Sequence, residues 1–149
     1  MTELIYGEDE RVFKWVAQKI PYVAMTSTIG LDHTIGLEDN GKLIAGCIYT
    51  NYSGDDIEMT FAASNNKCGT KRNLFAVFDY PFNQLGCKRI TAFSPVWNQK
   101  SRNFLQKIGF VQEGKKRGTD FLMYGFLSGD CDFIKSRKDR KRPRRKEAR

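Results

Sequence analysis

The stretch Leu85–Gly114, LGCKRITAFSPVWNQKSRNFLQKIGFVQEG, says most about the fold. Its residues 89–93 form a strand-like run, and residues 99–108 form a helical pattern. Asn98 is a candidate N-cap for this helix, and Gly109 is its C-terminal stop. The side chains on one side of the helix are Ser101, Phe104, Leu105 and Ile108. Residues 110–114 return to a strand pattern, so the stretch predicts a strand, a capped helix and a second strand in succession.

Two more helices are predicted before this stretch. Residues 8–20 form an amphipathic pattern with acidic residues in the first turn and Pro21 after the last. Residues 71–86 form a second helical pattern that stops at Gly86. We expect Pro81, which lies inside that pattern, to kink the helix. The apolar side chains predicted to line up along it are Leu74, Phe75, Phe78, Phe82 and Leu85.

Strand patterns fill the remaining segments up to residue 126. Residues 34–38 and 42–50 flank Asp39-Asn40-Gly41, and Asn-Gly between two such runs is a strong hairpin signal. Residues 57–61 alternate apolar and polar side chains, and residues 121–126 form the last strand. The order is helix, three strands, helix, strand, helix and two strands. This order predicts a mixed α/β (α+β) sheet.

The charge of the chain is concentrated in one segment. The 149 residues carry a net charge of +8, and 40% of them are hydrophobic and 28% charged, as in a globular domain. Residues 135–149 contain ten Lys or Arg against two acidic residues and therefore account for the whole net charge. We expect a neutral domain over residues 1–134 and a flexible, solvated basic tail over residues 135–149.

Several classes of site and location are disfavoured by composition. No apolar run is long enough to span a bilayer, and the acidic first residues do not resemble a signal peptide, which predicts a cytoplasmic protein without a membrane partner. The single His33, expected in or beside a loop, has no partner at metal-ligand spacing, so no metal site is predicted. Trp15, Trp97 and the phenylalanines are expected in the core or a pocket wall. The four cysteines, expected to be reduced core thiols, are Cys47, Cys68, Cys87 and Cys131.

One ordered series of motifs carries a family resemblance. Gly86 and a strand are followed by Asn98-x-x-Ser101, by Lys107-Ile-Gly-Phe110 and by Glu113-Gly114. At these spacings, and in this element order, the chain resembles the GNAT (Gcn5-related N-acetyltransferase) superfamily over roughly residues 5–126. Within it, the sequence is similar to the RimJ/RimL-like acetyltransferases and their phage-encoded members. For a phage-encoded protein the expected location is the host cytoplasm.

The resemblance implies a GNAT-like acyl-CoA N-acyltransferase fold. In this fold a mostly antiparallel sheet, flanked by helices, splays open between its fourth and fifth strands, here residues 57–62 and 89–94. The cosubstrate acetyl-CoA enters the split with its pantetheine arm, whose amides can pair with open strand edges as an added strand would. The residues implied to contact this arm are Phe61, Ala62, Ala63, Asn98, Ser101 and Phe104.

The resemblance also implies a phosphate-binding loop before the second helix, over residues 65–72. Backbone amides and the positive end of the helix hold the pyrophosphate in such loops. The family's usual Gln/Arg-x-x-Gly-x-Gly/Ala is absent here, because Cys68 and Thr70 fall near its two small positions. Gly69 still permits a close backbone approach. The residues expected to bind the phosphates are Lys67, Cys68, Gly69, Thr70, Lys71 and Arg72; the alternative is a basic turn that only caps the helix.

Direct acetyl transfer needs an uncharged amine, a base for its proton and a donor to the leaving thiolate. Glu58 is the expected base, since its strand is similar to the glutamate-bearing fourth strand of histone-type GNATs; the alternative is a surface glutamate. Asp55 or Asp56 could serve instead, through water.

The proton donor is expected to be Ser101. Many GNATs have a tyrosine four residues before the glycine of Gly-Phe, where this chain has Leu105, which donates no proton. Ser101 matches the position of a hydroxyl near the CoA sulfur in RimL-like enzymes, and Asn98 lies one turn away on the same side. The alternative is that Asn98 and Ser101 form only a helix cap.

Two functions are compatible with these observations. The first is an acetyl-CoA-dependent N-acetyltransferase that moves an acetyl group to a primary amine of a protein N-terminus, a lysine or a small molecule, as a monomer or homodimer. The second is a GNAT-fold protein with weak or no catalysis, acting as an inhibitory, virion-associated or nucleic-acid-binding factor. In that case residues 135–149 contact phosphates non-specifically.

Overall fold

The computed structural model describes residues 2–20, 31–64 and 69–134. Within them, one seven-stranded sheet is flanked by three α-helices, and its strand order is β1-β2-β3-β4-β5-β7-β6. All neighbouring strands are antiparallel except β4 and β5, which are parallel. The strands are β1 (Thr2–Tyr6), β2 (Leu31–Asp39), β3 (Lys42–Thr50), β4 (Asp56–Ala63), β5 (Arg89–Pro95), β6 (Val111–Lys115) and β7 (Phe121–Leu127). The helices are α1 (Asp9–Lys19), α2 (Lys71–Asp79) and α3 (Gln99–Ile108).

The predicted mixed α/β architecture is confirmed, with one strand missing from the prediction. β1 pairs with β2 from Thr2↔Asp39 to Tyr6↔Ile35 and forms an edge of the sheet. Its five residues are too few to establish a period, and as an edge strand it buries little side-chain area. His33, expected in or beside a loop, lies within β2, and its ring centroid is 4.5 Å from that of Tyr80.

Helix α1 packs on one face of the sheet because two glycines make room for it. Gly36 and Gly46 are register partners in β2 and β3. A Cβ built on Gly46 would lie 2.7 Å from Cγ2 of Val16, and one on Gly36 would lie 2.9 Å from Cγ2 of Val12. Both valines are fully buried, so this small cluster joins α1 to β3 and β4.

The larger core lies on the opposite face, under α2 and α3. It includes Ile57 and Met59 of β4, Ile90 and Ala92 of β5, and Leu105 of α3. On α2 and beyond it, the buried aromatic residues are Phe78 and Phe82. Phe75, which we expected on the same side, is 45% exposed, because at 100° per residue it lies about 160° around the helix from both Asn73 and Val77, which are buried.

The second predicted helix is divided rather than kinked. α2 ends at Asp79, and a π-helical turn, Tyr80–Gln84, follows it. Pro81 has no N–H to donate to the carbonyl of Val77 four residues earlier, and the Tyr49 hydroxyl donates to that carbonyl instead. The missing donor therefore ends the α-helical pattern, and a tyrosine of β3 satisfies the carbonyl left behind.

Further observations concern membranes, metals and thiols. In the part of the chain that the structure describes, no helix is long and apolar enough to cross a membrane. The same residues contain no group of three or more His, Cys, Asp or Glu side chains that could hold a metal ion. Cys47, Cys87 and Cys131 are buried thiols, whereas Cys68 lies outside the described residues.

Candidate functional site

The main candidate site is a gap within the sheet, between β4 and β5. These strands are paired over only three residue pairs, from Asp56↔Arg89 to Glu58↔Thr91. Both then continue, β4 to Ala63 and β5 to Pro95. The predicted splay between the fourth and fifth strands is thereby confirmed, and its vertex lies at Glu58 and Thr91.

The β4 side of the gap presents a strand edge. Phe61, Ala62 and Ala63 pair through their other edge with β3. Ala62 is buried, whereas Phe61 is half-buried and Ala63 exposed. A ligand with amide groups could add to this edge as a short strand, which is the pairing that a pantetheine arm permits.

An aromatic pair connects β4 to α3 beside this gap. The rings of Phe61 and Phe104 are stacked, with centroids 5.3 Å apart and planes inclined by 9°. Both side chains are half-buried. They give the gap an apolar wall on the face that holds α2 and α3.

Glu58 lies at the vertex, on the face that holds α1. The alternation predicted for its strand is confirmed, since its neighbours Ile57 and Met59 are buried in the opposite core. The Glu58 carboxylate accepts a hydrogen bond of 3.1 Å from Nδ2 of Asn51 and is half-buried. Asn51 has φ +56°, a conformation that asparagine tolerates better than most residues. Glu58 therefore has a neutral partner and no cation within ion-pair distance among the described residues.

Asp55 and Asp56, the two alternative bases, both have partners within the structure. Asp56 accepts hydrogen bonds from the Thr91 hydroxyl at 2.8 and 3.0 Å, and its carboxylate lies 3.6 Å from Nε of Arg89. The backbone carbonyl of Asp55 accepts from the N–H groups of Lys88 and Arg89, and its carboxylate lies 3.9 Å from Nζ of Lys88. These contacts help to hold β4 and β5 together at the vertex.

Sequence reasoning missed the polar cluster around Arg89. Its guanidinium donates to both carboxylate oxygens of Glu113, at 2.7 and 3.3 Å. The hydrogen bond that Arg89 donates to Glu113 is the main reason that the pKa of Arg89 is raised, so its positive charge is fixed. Gly125 leaves room for this pair, since a Cβ there would lie 2.3 Å from Oε2 of Glu113. The sequence did contain a signal for this cluster, because the polar residues Arg89 and Thr91 alternate with apolar residues in the predicted strand.

Ser101 and Asn98 lie at the start of α3, beyond the carboxyl end of β5. The Asn98 side chain caps the helix, because its Oδ1 accepts from the N–H of Ser101 at 3.1 Å. The capping interpretation of Asn98 is thus correct, and its Nδ2 is not used by the cap. Ser101 is half-buried.

The start of α2 provides a second helix N-terminus near the open end of the gap. Thr70 is its N-cap and accepts from the N–H of Asn73 at 3.3 Å. Gly69, Thr70, Lys71 and Arg72 are exposed. Nδ2 of Asn73 is buried and has no hydrogen-bond partner among the described residues. Lys67 and Cys68, also expected to bind phosphate, lie outside the described residues.

The exposed tryptophan of this region differs from expectation. Trp97 is 70% exposed, so it belongs to no core. It precedes the N-cap Asn98 in a turn in which the N–H of Asn98 donates to the carbonyl of Pro95. This turn directs the chain away from β5 into α3.

The buried thiols near the site are protonated at neutral pH. Burial raises the pKa of Cys87, and the charges of Asp56 and Asp55 raise it further. Burial likewise raises the pKa of Cys47 to about 12. Because the thiolate is the nucleophile, neither cysteine is poised to carry an acyl group.

Comparisons with known proteins give matches at the level of structure. No protein-family model matches the sequence, and no curated protein matches it by sequence. The fold is similar to that of the Campylobacter jejuni N-acetyltransferase PseH in complex with acetyl coenzyme A, with a TM-score of 0.60, 14% identity, and coverage of 86% of this chain and 99% of that one.

Two further solved structures show the same similarity. The ribosomal-protein-S5-alanine acetyltransferase from Vibrio fischeri gives a TM-score of 0.62 at 15% identity, over 89% of this chain and 94% of that one. A variant of the spermidine N-acetyltransferase SpeG from Vibrio cholerae gives 0.65 at 18% identity, over 85% and 93%. The chain therefore has the GNAT-like acyl-CoA N-acyltransferase fold, with its sheet open between β4 and β5.

Proposed function

We propose that the protein is an acetyl-CoA-dependent N-acetyltransferase that transfers an acetyl group directly to a primary amine. The observation that carries this proposal is the gap between β4 and β5, with Glu58 at its vertex and the N-termini of two helices near its open end. Structural similarity to N-acetyltransferases, one of them in complex with acetyl coenzyme A, supports it.

The residues present fit the cosubstrate. The strand edge at Phe61, Ala62 and Ala63 offers backbone pairing to the pantetheine amides, and Phe104 completes the apolar wall. The buried, unpartnered amide of Asn73 and the exposed N-terminus of α2 supply donors near the phosphates, together with Gly69 and Thr70. The cations proposed to neutralise phosphate charge are Lys67, Lys71 and Arg72, and Cys68 is proposed as a small residue of the same loop.

In the proposed reaction, residues on opposite faces of the sheet act on the attacking amine and on the leaving thiolate. Glu58, on the α1 face, accepts the proton of the attacking amine, directly or through water. Ser101 belongs to α3 on the other face and donates to the thiolate as it leaves. The nitrogen forms a bond to the acetyl carbon, the carbon–sulfur bond breaks, and the departing thiolate takes up a proton to give the CoA thiol. The protonated state of Cys47 and Cys87 supports direct attack over an acyl-cysteine intermediate.

Release of CoA thiol tests the proposal directly. The full-length protein is incubated with acetyl-CoA and a panel of peptides, polyamines and small amines, and free thiol is measured. Acetyl-CoA should also raise the melting temperature, because a ligand that binds only the folded state stabilises it by about 2.7 kcal/mol at a hundredfold excess over Kd. No thiol release, and no thermal shift at millimolar acetyl-CoA, would favour the binding-protein alternative.

We also propose the finer assignments made from the sequence. The series of motifs from Asn98 to Gly114 supports a RimJ/RimL-like acceptor chemistry. It also supports a relationship to the phage-encoded members of that group. A cytoplasmic protein, acting as a monomer or homodimer, is consistent with that assignment. Analytical ultracentrifugation of the full chain distinguishes the two oligomeric states.

A second candidate function concerns residues 135–149, which lie outside the described residues. Ten basic residues among fifteen favour non-specific contact with nucleic-acid phosphates. The segment contains no aromatic residue, so it lacks the stacking groups that many single-strand binders use. We propose electrostatic, salt-sensitive binding that is independent of the acetyl-CoA site.

A further inference from the structure

We propose that the acceptor is an amine that also carries an anionic group, which Lys116 binds while Glu58 receives the amine. The inference rests on the proposed acetyltransferase activity and names its substrate class. It is carried by the distribution of charge on the sheet face that holds α1.

The relevant face is fixed by the strand register. Glu58 of β4 is the partner of Thr91 of β5, so their side chains are on the same face. Phe93 lies two residues further along β5 and points the same way, because side chains alternate with period two. Phe93 in turn is the partner of Met123 of β7. Helix α1 packs against β2, β3 and β4, and both Phe93 and Met123 are only half-buried.

A lysine lies over this part of the face. Nζ of Lys116 is 5.6 Å from the centroid of the Phe93 ring. The backbone around Lys116 is well fixed, since its N–H donates to the carbonyl of Phe121 at 2.8 Å and its carbonyl accepts from the Thr119 hydroxyl at 2.7 Å. Phe93 is about 7 Å from Thr91 along the strand, at two residues of roughly 3.3 Å each. The ring over which the Lys116 ammonium group lies is therefore about 7 Å along β5 from the vertex residue Thr91.

The two ends of this face carry opposite charge. At the vertex, Arg89 compensates Asp56 and Glu113, whereas the neutral Asn51 is the partner of the Glu58 carboxylate among the residues that the structure describes. At the other end, the exposed turn between β6 and β7 carries Lys116 and Arg117 against one acidic residue, Asp120. Neither of these two cations forms an ion pair with a described residue.

A ligand that matches this arrangement has an ammonium group at one end and an anion at the other, separated by an apolar spacer over Phe93. A polyamine has positive charge at both ends, and one of its ends would meet Lys116. Electrostatic complementarity of this kind selects among partners by repelling the wrong charge as well as attracting the right one. The structure thus favours a zwitterionic acceptor over a polycationic one.

Matched peptides test the proposal. A dipeptide with a free C-terminal carboxylate and its C-terminal amide differ by one negative charge and share the same α-amine. With the full-length protein we expect kcat/KM for the free acid to exceed that for the amide by about three- to tenfold, mainly through KM. This preference should decrease as ionic strength rises, because the groups are near the surface.

Variants identify the residue responsible. Lys116→Met should remove the preference by weakening the free acid alone, and Lys116→Glu should reverse it. Lys107→Met, which removes an exposed lysine of α3, is the matched control and should leave the preference unchanged. Melting temperatures of the three variants report whether each is folded.

The outcomes separate this inference from the proposed function. Thiol release with amines, but with equal use of acid and amide or with spermidine as the better acceptor, overturns the inference and leaves acetyl transfer intact. The inference also fails if Lys116→Met lowers kcat/KM equally for both peptides. Absence of thiol release with every amine overturns both proposals.

Discussion

Among the carboxylates at the vertex, Glu58 differs from its neighbours in having no cationic partner within the described part of the chain. Asp56 accepts hydrogen bonds from Thr91 and lies beside Arg89, and Glu113 accepts hydrogen bonds from Arg89. A carboxylate engaged in this way is less free to turn toward an attacking amine. On these contacts we propose that Asp56 and Glu113 support the vertex and that Glu58 takes part in the reaction.

Replacing Glu58 tests this assignment. We expect Glu58→Gln to lower kcat by about 10²–10⁴-fold, the usual contribution of a general base, and to leave the acetyl-CoA Kd almost unchanged. Steady-state thiol release and a calorimetric titration measure the two quantities. Glu10→Gln, at an exposed position of α1 paired with Lys14, is the control. Unchanged turnover in Glu58→Gln, with acetyl transfer rate-limiting, would exclude Glu58 from the mechanism.

Ser101 should give a smaller effect than Glu58. In Ser101→Ala the thiolate loses its hydroxyl donor, but water can replace it, so we expect a loss in kcat of about tenfold. The backbone N–H of Ser101, which Asn98 caps, is retained in this variant, so stability should be preserved. Asn98→Ala provides the contrast, since loss of an N-cap costs about 1 kcal/mol in unfolding free energy. A Ser101→Ala enzyme that is destabilised but catalytically normal would show that the hydroxyl is structural.

At the scale of elements, the close approach of α1 to the sheet depends on residues without side chains. Gly46 faces Val16 and Val12 at distances that leave no space for a larger residue. We expect Gly46→Val to reduce the free energy of unfolding by about 1–3 kcal/mol through overpacking, measured by urea denaturation. Gly114→Val is the control, because a Cβ at Gly114 meets nothing within 4 Å. Equal denaturation midpoints for the two variants would contradict this account of the packing.

The elements also show what can be predicted from the sequence and what cannot. α3 was predicted with its observed bounds, because Asn98 and Gly109 act through local backbone bonds. The division of α2 at Pro81 was not predicted, since the carbonyl of Val77 is satisfied by Tyr49, which is 28 residues away in the chain. Strand β1 was missed because its pairing with β2 is set by tertiary contact.

The candidate site shows the same limit. Glu58 and Ser101 could be named from motifs, and the position of the gap followed from the resemblance. The pairing of Arg89 with Glu113 joins residues 24 apart, and the placement of Lys116 over Phe93 joins β5 to a turn beyond α3. Such contacts depend on which strands become neighbours, and in this sheet β7 lies between β5 and β6.

At the scale of the whole molecule, the gap between β4 and β5 connects the two faces of the sheet, which carry different chemical groups. Glu58 belongs to the face of α1, and Ser101 belongs to α3, which packs with the larger core on the opposite face. In a continuous sheet the backbone would separate them. The three-pair contact between β4 and β5 leaves an opening through which one ligand can reach both. The site that we propose therefore draws on both faces of the sheet, because β4 and β5 diverge between them.

The charge of the whole molecule leads to the last prediction. Since residues 135–149 account for the entire net charge of +8, deletion of this segment should abolish binding to RNA, DNA or acidic surfaces. Binding by the full chain should weaken steeply between 50 and 200 mM salt, in the range over which counterion release reduces the affinity of proteins with many phosphate contacts. Fluorescence anisotropy with a labelled oligonucleotide measures both effects.

The same truncated protein tests whether the two proposed functions are separate. Residues 1–134 should keep the acetyl-CoA-dependent rise in melting temperature, because the gap, Glu58 and the start of α3 all lie within them. A full-length protein without salt-dependent binding at low ionic strength would exclude the nucleic-acid proposal. Loss of the acetyl-CoA response on truncation would instead show that the basic segment contributes to the cosubstrate site, where its cations could compensate for the phosphate loop's departure from the family pattern.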